Sequence, residues 1–434
     1  MLETSSPEER SQVPVVACPR TTIVRRLWMR GLLAATALLA ACALIEAASY
    51  VCLALQPSGE HVGRWEFRGQ CPAPYRNAPY FSDAFLLESM YGGASRNPPG
   101  TGIMVPTDVQ GRYLNVRDGC RRTTDQPSGL ARRVLLFGGS TLFGAEVPDE
   151  WTVASCLQRR LNRRDGGRWK VENYGACSML ARQQTERLLQ TPLRPGDVVL
   201  YYDGANDVYF GIYNGNAAGW RLGDSENGGV RRLSWLQRQL YPLCFRFKDV
   251  SATARLLLHR MDSCPPANVA DRAKLQQHLE AAEAGYREAL LEAKSVVEAQ
   301  GGTFVHLLQP TLFSLPQPST LTVERGMEVS IPRQAEPGRL KRSPYEQSVA
   351  SNELKALPGL DLAFQVGYPR LRRAMAGAAE QGVVSFDLSD ALTSRAGSEE
   401  FYLDFCHVNH TANERIAEEI DKRVFPALAG RGER

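Results

Sequence analysis

Val134-Leu-Leu-Phe-Gly-Gly-Ser140-Thr-Leu-Phe-Gly144 is the stretch on which the reading of the fold turns. Four apolar residues running into two glycines predict a buried strand whose chain bends sharply at its end. Glycine lets the backbone pass close to its surroundings, and a serine at such a bend is held out for chemistry.

Working outward, apolar strands alternate with helices. Strands are expected at 134–137, 169–174, 198–202, 303–308 and 383–388, and helices at 152–162, 180–190, 275–300, about 366–381 and 409–425. In the helix over 275–300, Leu275, Leu279, Tyr286, Leu290 and Val297 fall on one stripe, and Gly301-Gly302 supplies the stop. Five strands with helices between them predict an α/β fold, a doubly wound five-stranded parallel sheet in a three-layer α/β/α arrangement. Ligands of such sheets bind beyond the carboxyl ends of the strands. Ser140, Gly175 and the run Asp203–Asp207 fall there, as do Gln309 and residues 387–390. Two long segments, near 209–270 and 310–365, interrupt the alternation and are expected to build a substrate rim.

The chain has 434 residues, 43% apolar and 23% charged, with a net charge of +4. That composition suits a sizeable core, and the small charge gives no reason to expect nucleic acid as a partner. The outlier is the run 31–55, whose only charge is Glu46. Such a run is long enough to cross a bilayer, which takes ~20 apolar residues in a helix. Arg20, Arg25, Arg26 and Arg30 precede it, while His61, Arg64, Glu66 and Arg68 mix signs after it. The positive-inside rule then puts residues 1–30 in the cytoplasm as a tail, 31–55 in the membrane as a signal anchor, and the rest outside. A cleaved signal peptide, or acylation at Cys42 after Leu39-Ala-Ala, are the alternatives. Residues 56–130, rich in Pro, Gly, Tyr and Arg, are expected to be a stalk and irregular packing segment ahead of a domain spanning 131–430.

Of ten cysteines, Cys71, Cys120, Cys156, Cys177, Cys244, Cys264 and Cys406 fall outside the membrane. No CxxC or zinc-like His/Cys spacing occurs, so no metal or other cofactor is expected. Neighbourhood in sequence suggests Cys71 with Cys120 and Cys244 with Cys264 as pairs.

For chemistry, Ser140 is the nucleophile candidate. It is not in a Gly-x-Ser-x-Gly elbow, because Leu142 stands where the second glycine would be. Asp404-Phe-Cys-His407 places a carboxylate three residues before an imidazole, in a turn ahead of the last helix. A histidine takes a serine proton only when its other ring nitrogen is held by an acceptor. His410 is the competitor, expected to face outward from that helix. Asn206 offers a neutral amide, the donor type that steadies an oxyanion. Gly175 offers a backbone N–H at close range.

Together, Gly138-Gly-Ser140, Asn173-Tyr-Gly175, Gly204-Ala-Asn206-Asp207 and Asp404-Phe-Cys-His407 resemble the four blocks of SGNH/GDSL hydrolases, in order. The match looks like the membrane-anchored bacterial branch with Gly-Gly-Ser-Thr and Asp-Gly-x-Asn-Asp. It departs at Gly139, where that family usually has Asp. The resemblance implies a flavodoxin-like fold and a triad of Ser140, His407 and Asp404. It also implies an oxyanion hole from the Ser140 and Gly175 N–H groups and the Asn206 side chain. The expected activity is ester hydrolysis on acylated glycans, lipids or small molecules. The alternatives are O-acyl transfer to a polysaccharide beside a membrane acyl-carrier partner, and a non-catalytic glycan-binding or scaffold domain.

Overall fold

The computed structural model describes residues 19–55, 77–92, 95–96, 98, 103–129, 131–215, 251–254, 256–257, 272–314, 343–393 and 399–429. Residues 1–18 of the expected tail, most of the 209–270 insertion, half of the 310–365 insertion, and Cys18, Cys71, Cys244 and Cys264 lie outside them. The chain divides into two compact units, one of Met1–Gln56 with Trp235–Ser263 and one of the remaining residues.

In the first unit, helix α1 (Pro19–Leu55) contains the apolar run Trp28–Cys52, long enough to cross a membrane by length and composition. Its one acidic residue is not left without partners. The Glu46 carboxylate accepts from Ser251 Oγ at 2.9 Å, from the Thr253 N–H at 3.2 Å and from the Ala252 N–H. Ser49 and Thr253 hydroxyls bond at 3.0 Å beside it. A carboxylate on an apolar helix is tolerated when donors replace its hydration.

The second unit is built on one eight-stranded sheet. Its strands are β1 (Val109–Gln110), β2 (Asn115–Arg117), β3 (Cys120–Arg121), β4 (Arg132–Gly138), β5 (Trp169–Asn173), β6 (Val198–Asp203), β7 (Thr303–Leu308) and β8 (Val384–Asp387). The order across the sheet is β8-β7-β6-β4-β5-β3-β2-β1. The five expected strands are the parallel part, β4 to β8. The count of five is corrected to eight, because β1 to β3 join antiparallel from the segment read as stalk. Those strands are two or three residues long, too short for alternation to register. Val134, Leu135, Leu136, Val199 and Leu200 are fully buried, as the continuous apolar runs of a parallel sheet covered on both faces should be.

Helices α2 (Asp83–Gly92) and α3 (Ser140–Phe143) are followed by α4 (Val153–Asp165), α5 (Ala181–Leu189), α6 (Arg272–Ala299), α7 (Pro344–Ala356), α8 (Leu360–Ala379) and α9 (His410–Ala429). α4 packs on α9, and α6 packs on both α5 and α8, giving two helix groups. α7 lies where a loop was expected, and α8 begins earlier than expected. The start of α7 was legible: Ser343 caps it by accepting from the Glu346 N–H at 3.1 Å, and Pro344 opens it. Cys120, Cys156 and Cys406 are free thiols, so the suggested pair with Cys120 is not formed.

Among the parallel strands the order is second-first-third-fourth-fifth, and the direction of winding reverses between β4 and β6. Gly138 lies level with Tyr202 there, so both strands deliver their next residues to one crevice. The far wall is held by Arg121, 1% exposed, on β3. Its guanidinium donates to Asp149 Oδ1 at 3.0 Å and to the carbonyls of Phe143, Gly144 and Val147 at 3.0, 2.7 and 2.8 Å. Asp149→Ala strands that cation, and breaking a buried pair from one side costs ~3–5 kcal/mol. Thermal unfolding of the full chain in detergent should show a correspondingly lower midpoint.

Candidate active site

The crevice gathers residues from three places in the chain. Gly139 is extended, and Ser140 opens α3 directly after β4. The first residues of a helix have N–H groups without an intrahelical acceptor, and Ser140 is the first of this one. Beneath it, the Thr141 hydroxyl donates to Gln309 Oε1 at 3.3 Å.

Asp404 and His407 come from the turn between β8 and α9. One carboxylate oxygen, Asp404 Oδ1, accepts from the backbone N–H groups of Cys406 and His407, both at 2.8 Å. The other, Oδ2, lies 2.7 Å from His407 Nδ1. The Leu403 N–H donates to the His407 carbonyl at 2.8 Å, closing the turn from the other side. With the ring so fixed, His407 Nε2 stands 2.8 Å from Ser140 Oγ. Nδ1–H donating to Asp404 leaves Nε2 to accept the serine proton.

The charges follow from this packing. Burial alone would depress the His407 pKa, but Asp404, Cys406 and Glu146 outweigh it and hold it well above the ordinary imidazole value. Burial would raise Asp404, yet the His407 charge and three hydrogen bonds hold it below the usual carboxylate range. Cys406 Sγ lies 3.7 Å from His407 Nδ1, but burial pushes that thiol up to about 12, leaving it a poor rival nucleophile. Asp404 Oδ2, Cys406 Sγ and His407 Nδ1 lie within 4.8 Å of one another. Because Nδ1 is already bonded to Asp404, we read the group as a hydrogen-bonded turn and assign no metal.

Asn206 follows β6 and stands beside the serine turn, its Nδ2 donating to the Met179 carbonyl at 2.9 Å. A Cβ on residue 139 would sit 2.5 Å from that Nδ2, so glycine at 139 is what lets the amide stand there. Behind Asn206 the turn is anchored by a buried polar cluster. Asp203 Oδ1 accepts from Tyr286 OH and lies 3.0 Å from His306 Nε2, while Asp207 Oδ1 accepts the Ala181 N–H at 3.1 Å. Burial and the Asp203 charge push the Asp207 carboxyl well above the usual range.

Gly175 is also brought to the site. A Cβ there would meet the Phe143 nitrogen at 2.4 Å, so glycine is needed for α3 to pack. Its N–H, however, donates to Asn173 Oδ1 at 2.9 Å rather than standing unpaired. His410 does not face outward as expected. Its ring meets Tyr80 and Trp151 edge-on at 5.4 and 5.1 Å. Glu146 was not anticipated at all: its Oε1 lies 3.6 Å from His407 Nε2. No motif surrounds it in the sequence, and only the path of the loop after α3 brings it there.

No protein-family model matches the sequence. No curated protein matches it either. Solved structures do. A lipolytic protein of the G-D-S-L family from Veillonella parvula is 13% identical over 68% of this chain and 99% of its own, with a TM-score of 0.34. An acetyl xylan esterase from Geobacillus stearothermophilus is 13% identical over 68% of this chain and 96% of its own, at 0.32. An extracellular lipase from Streptomyces rimosus is 10% identical over 67% of this chain and 99% of its own, at 0.33. The chain is similar to these proteins.

The ion pair carries a signature in pH. The raised His407 pKa contributes stability that is complete below the ordinary 6.5 and lost as pH rises through the folded value. The lowered Asp404 pKa contributes stability present above the ordinary 3.8 and lost as pH falls through the folded value. Both are in force between those two ordinary values. With six histidines in the chain, isotope-labelled ring signals are assignable by substitution. His407 should titrate above 6.5, and Asp404→Asn should bring it down.

Proposed function

We propose that this chain is a membrane-anchored serine ester hydrolase of SGNH type, acting outside the cytoplasm on O-acyl esters of glycans or lipids. The observation that carries the reading is the pair of hydrogen bonds on one imidazole, 2.8 Å to Ser140 Oγ and 2.7 Å to Asp404 Oδ2. A serine, a histidine and a carboxylate in that arrangement have the parts of a nucleophilic triad, whatever their order in the chain.

In this reading Ser140 Oγ attacks the ester carbonyl while its proton passes to His407 Nε2. Asp404 keeps Nδ1 protonated and steadies the imidazolium that results. The negative charge on the former carbonyl oxygen is met by the Ser140 N–H and the second N–H of the Asn206 amide. The Gly175 N–H joins them only by letting go of Asn173 Oδ1. His407 returns the proton to the leaving alkoxide, and a hydroxyl then attacks the acyl-serine with His407 as base. Acyl transfer to a glycan shares every step up to that second attack. A membrane partner delivering acyl groups belongs to the transfer reading alone. The apolar helix Trp28–Cys52 serves as the anchor, with the arginines before it on the cytoplasmic side.

Full-length chain in detergent should hydrolyse p-nitrophenyl acetate, and Ser140→Ala should abolish the release of p-nitrophenol. Equal rates for the two would remove the enzyme reading and leave a binding or scaffold domain. Asn206→Ala should lower kcat by ~100- to 1000-fold, the cost of one oxyanion donor. A fall in kcat/KM on the acid side should follow the His407 titration, because only the neutral ring accepts the serine proton.

A further inference from the structure

Resting on the proposed esterase reading, we infer that Glu146 and His407 together form the seat of the hydroxyl that receives the acyl group, and that Glu146 decides between water and an alcohol. Glu146 Oε1 and His407 Nε2 are 3.6 Å apart, too far for a good direct hydrogen bond. That spacing allows one oxygen to lie ~2.8 Å from each, an ordinary hydrogen-bond length, once Ser140 Oγ, now 2.8 Å from the same Nε2, carries the acyl group. The two side chains keep 17% and 20% of their surface exposed, so the gap opens to solvent. It also lies on the nitrogen that must take the proton of the attacking hydroxyl.

The position of Glu146 is built, not incidental. The carbonyls of Phe143, Gly144 and Val147, on either side of it, are all held by the buried Arg121 guanidinium. The Ala145 carbonyl accepts from Ser89 Oγ at 2.7 Å. The loop after α3 is fastened at four carbonyls in a row of five residues, with Glu146 left to face the histidine.

The chemistry of the seat depends on the proton that Glu146 carries. An alcohol has one O–H, which must go to His407, so its oxygen can only be steadied by a donor. A neutral carboxyl supplies that donor. Water has a second O–H, and an ionised carboxylate accepts it. The groups facing Glu146 are His407, Asp404 and Cys406 from the C-terminal turn, Arg121 from β3, Cys177 after β5 and Tyr80 ahead of α2. Burial raises the Glu146 pKa most; His407 opposes this, Asp404 adds to it, and Arg121 pulls back, with a net rise. In deacylation the bond from acyl carbon to Ser140 Oγ breaks and the bond to the incoming oxygen forms. The hydroxyl proton moves to His407 Nε2 and on to Oγ, while Glu146 keeps its own state.

The test uses the full-length chain in detergent, with p-nitrophenyl acetate as acyl donor and glycerol as added alcohol. Acetylglycerol and acetate are counted across pH, alongside the initial burst of p-nitrophenol. In the native chain the transfer-to-hydrolysis ratio should fall as pH rises. Glu146→Gln, close in shape and unable to ionise, should hold a flat, transfer-favouring ratio. Glu146→Ala should slow deacylation to both acceptors by about tenfold, the loss of one hydrogen bond that positions the incoming oxygen, with the burst persisting. A ratio in both variants that follows the native pH curve overturns the inference while the esterase reading stands. Loss of the burst in Glu146→Gln also overturns it, assigning Glu146 to the support of His407. Absence of Ser140-dependent release in the native chain takes both readings down together.

Discussion

His407 is bonded on both sides of its ring, and most of the architecture of the second unit can be read as delivering those two bonds. One joins residues 267 positions apart in the chain, and the other joins residues three apart. The near bond is local chemistry: Asp404 turns its own backbone around one oxygen and presents the other to the ring. The far bond is topological. Ser140 reaches the ring because β4 ends at the point where the sheet reverses its winding, and because the segment after β8 brings the chain back to that crevice ahead of the last helix.

A half-buried imidazole beside a carboxylate is a charged object in a poorly solvated place, and it needs its surroundings fixed. Three separate networks do this. Asp404 is satisfied by two backbone N–H groups before it touches His407. Asp203, Tyr286 and His306 lock the turn that carries Asn206. Arg121 locks the loop that carries Glu146. The last two each contain an ionisable pair at or near zero exposure, His306 with Asp203 and Arg121 with Asp149, which is costly unless its partners are complete. The same logic reappears away from the site, where Glu46 on the apolar helix is met by three donors from Ser251, Ala252 and Thr253.

The five parallel strands were legible from short runs rich in apolar and aromatic residues: β4 and β6 are nearly continuous and buried throughout, while β5 alternates buried and half-buried positions. Ser140, Asn206, Asp404 and His407 were legible because short motifs carry them. What escaped had no such signal. β1 to β3 are two or three residues long and hold together through pairing with β5 and the Arg121 clamp, a tertiary effect. Glu146 sits in Ala145-Glu-Val, three unremarkable residues whose importance comes only from where the loop runs. His410 was misread because a helix start suggests exposure, while Tyr80 and Trp151 arrive from distant segments to cover it. The N–H of Gly175 was legible as nearby but not as occupied, since Asn173 lies two residues earlier on the same strand.

Gly139 shows why a departure from a motif is best judged in three dimensions. An aspartate at this position would place its Cβ where it crowds the Asn206 amide, at 2.5 Å from Nδ2. Real Cβ contacts are not that short, so the amide would have to move away from the serine turn. The glycine and the present position of Asn206 are therefore one choice. The absence of a side chain leaves room for the amide to stand beside the Ser140 turn, held by the Met179 carbonyl. It also removes a negative charge from the edge of a crevice that already contains Asp404 and Glu146. In the proposed esterase reading, a further carboxylate there would oppose the charge that builds on the substrate oxygen, so glycine at 139 works in the direction of that chemistry rather than against it.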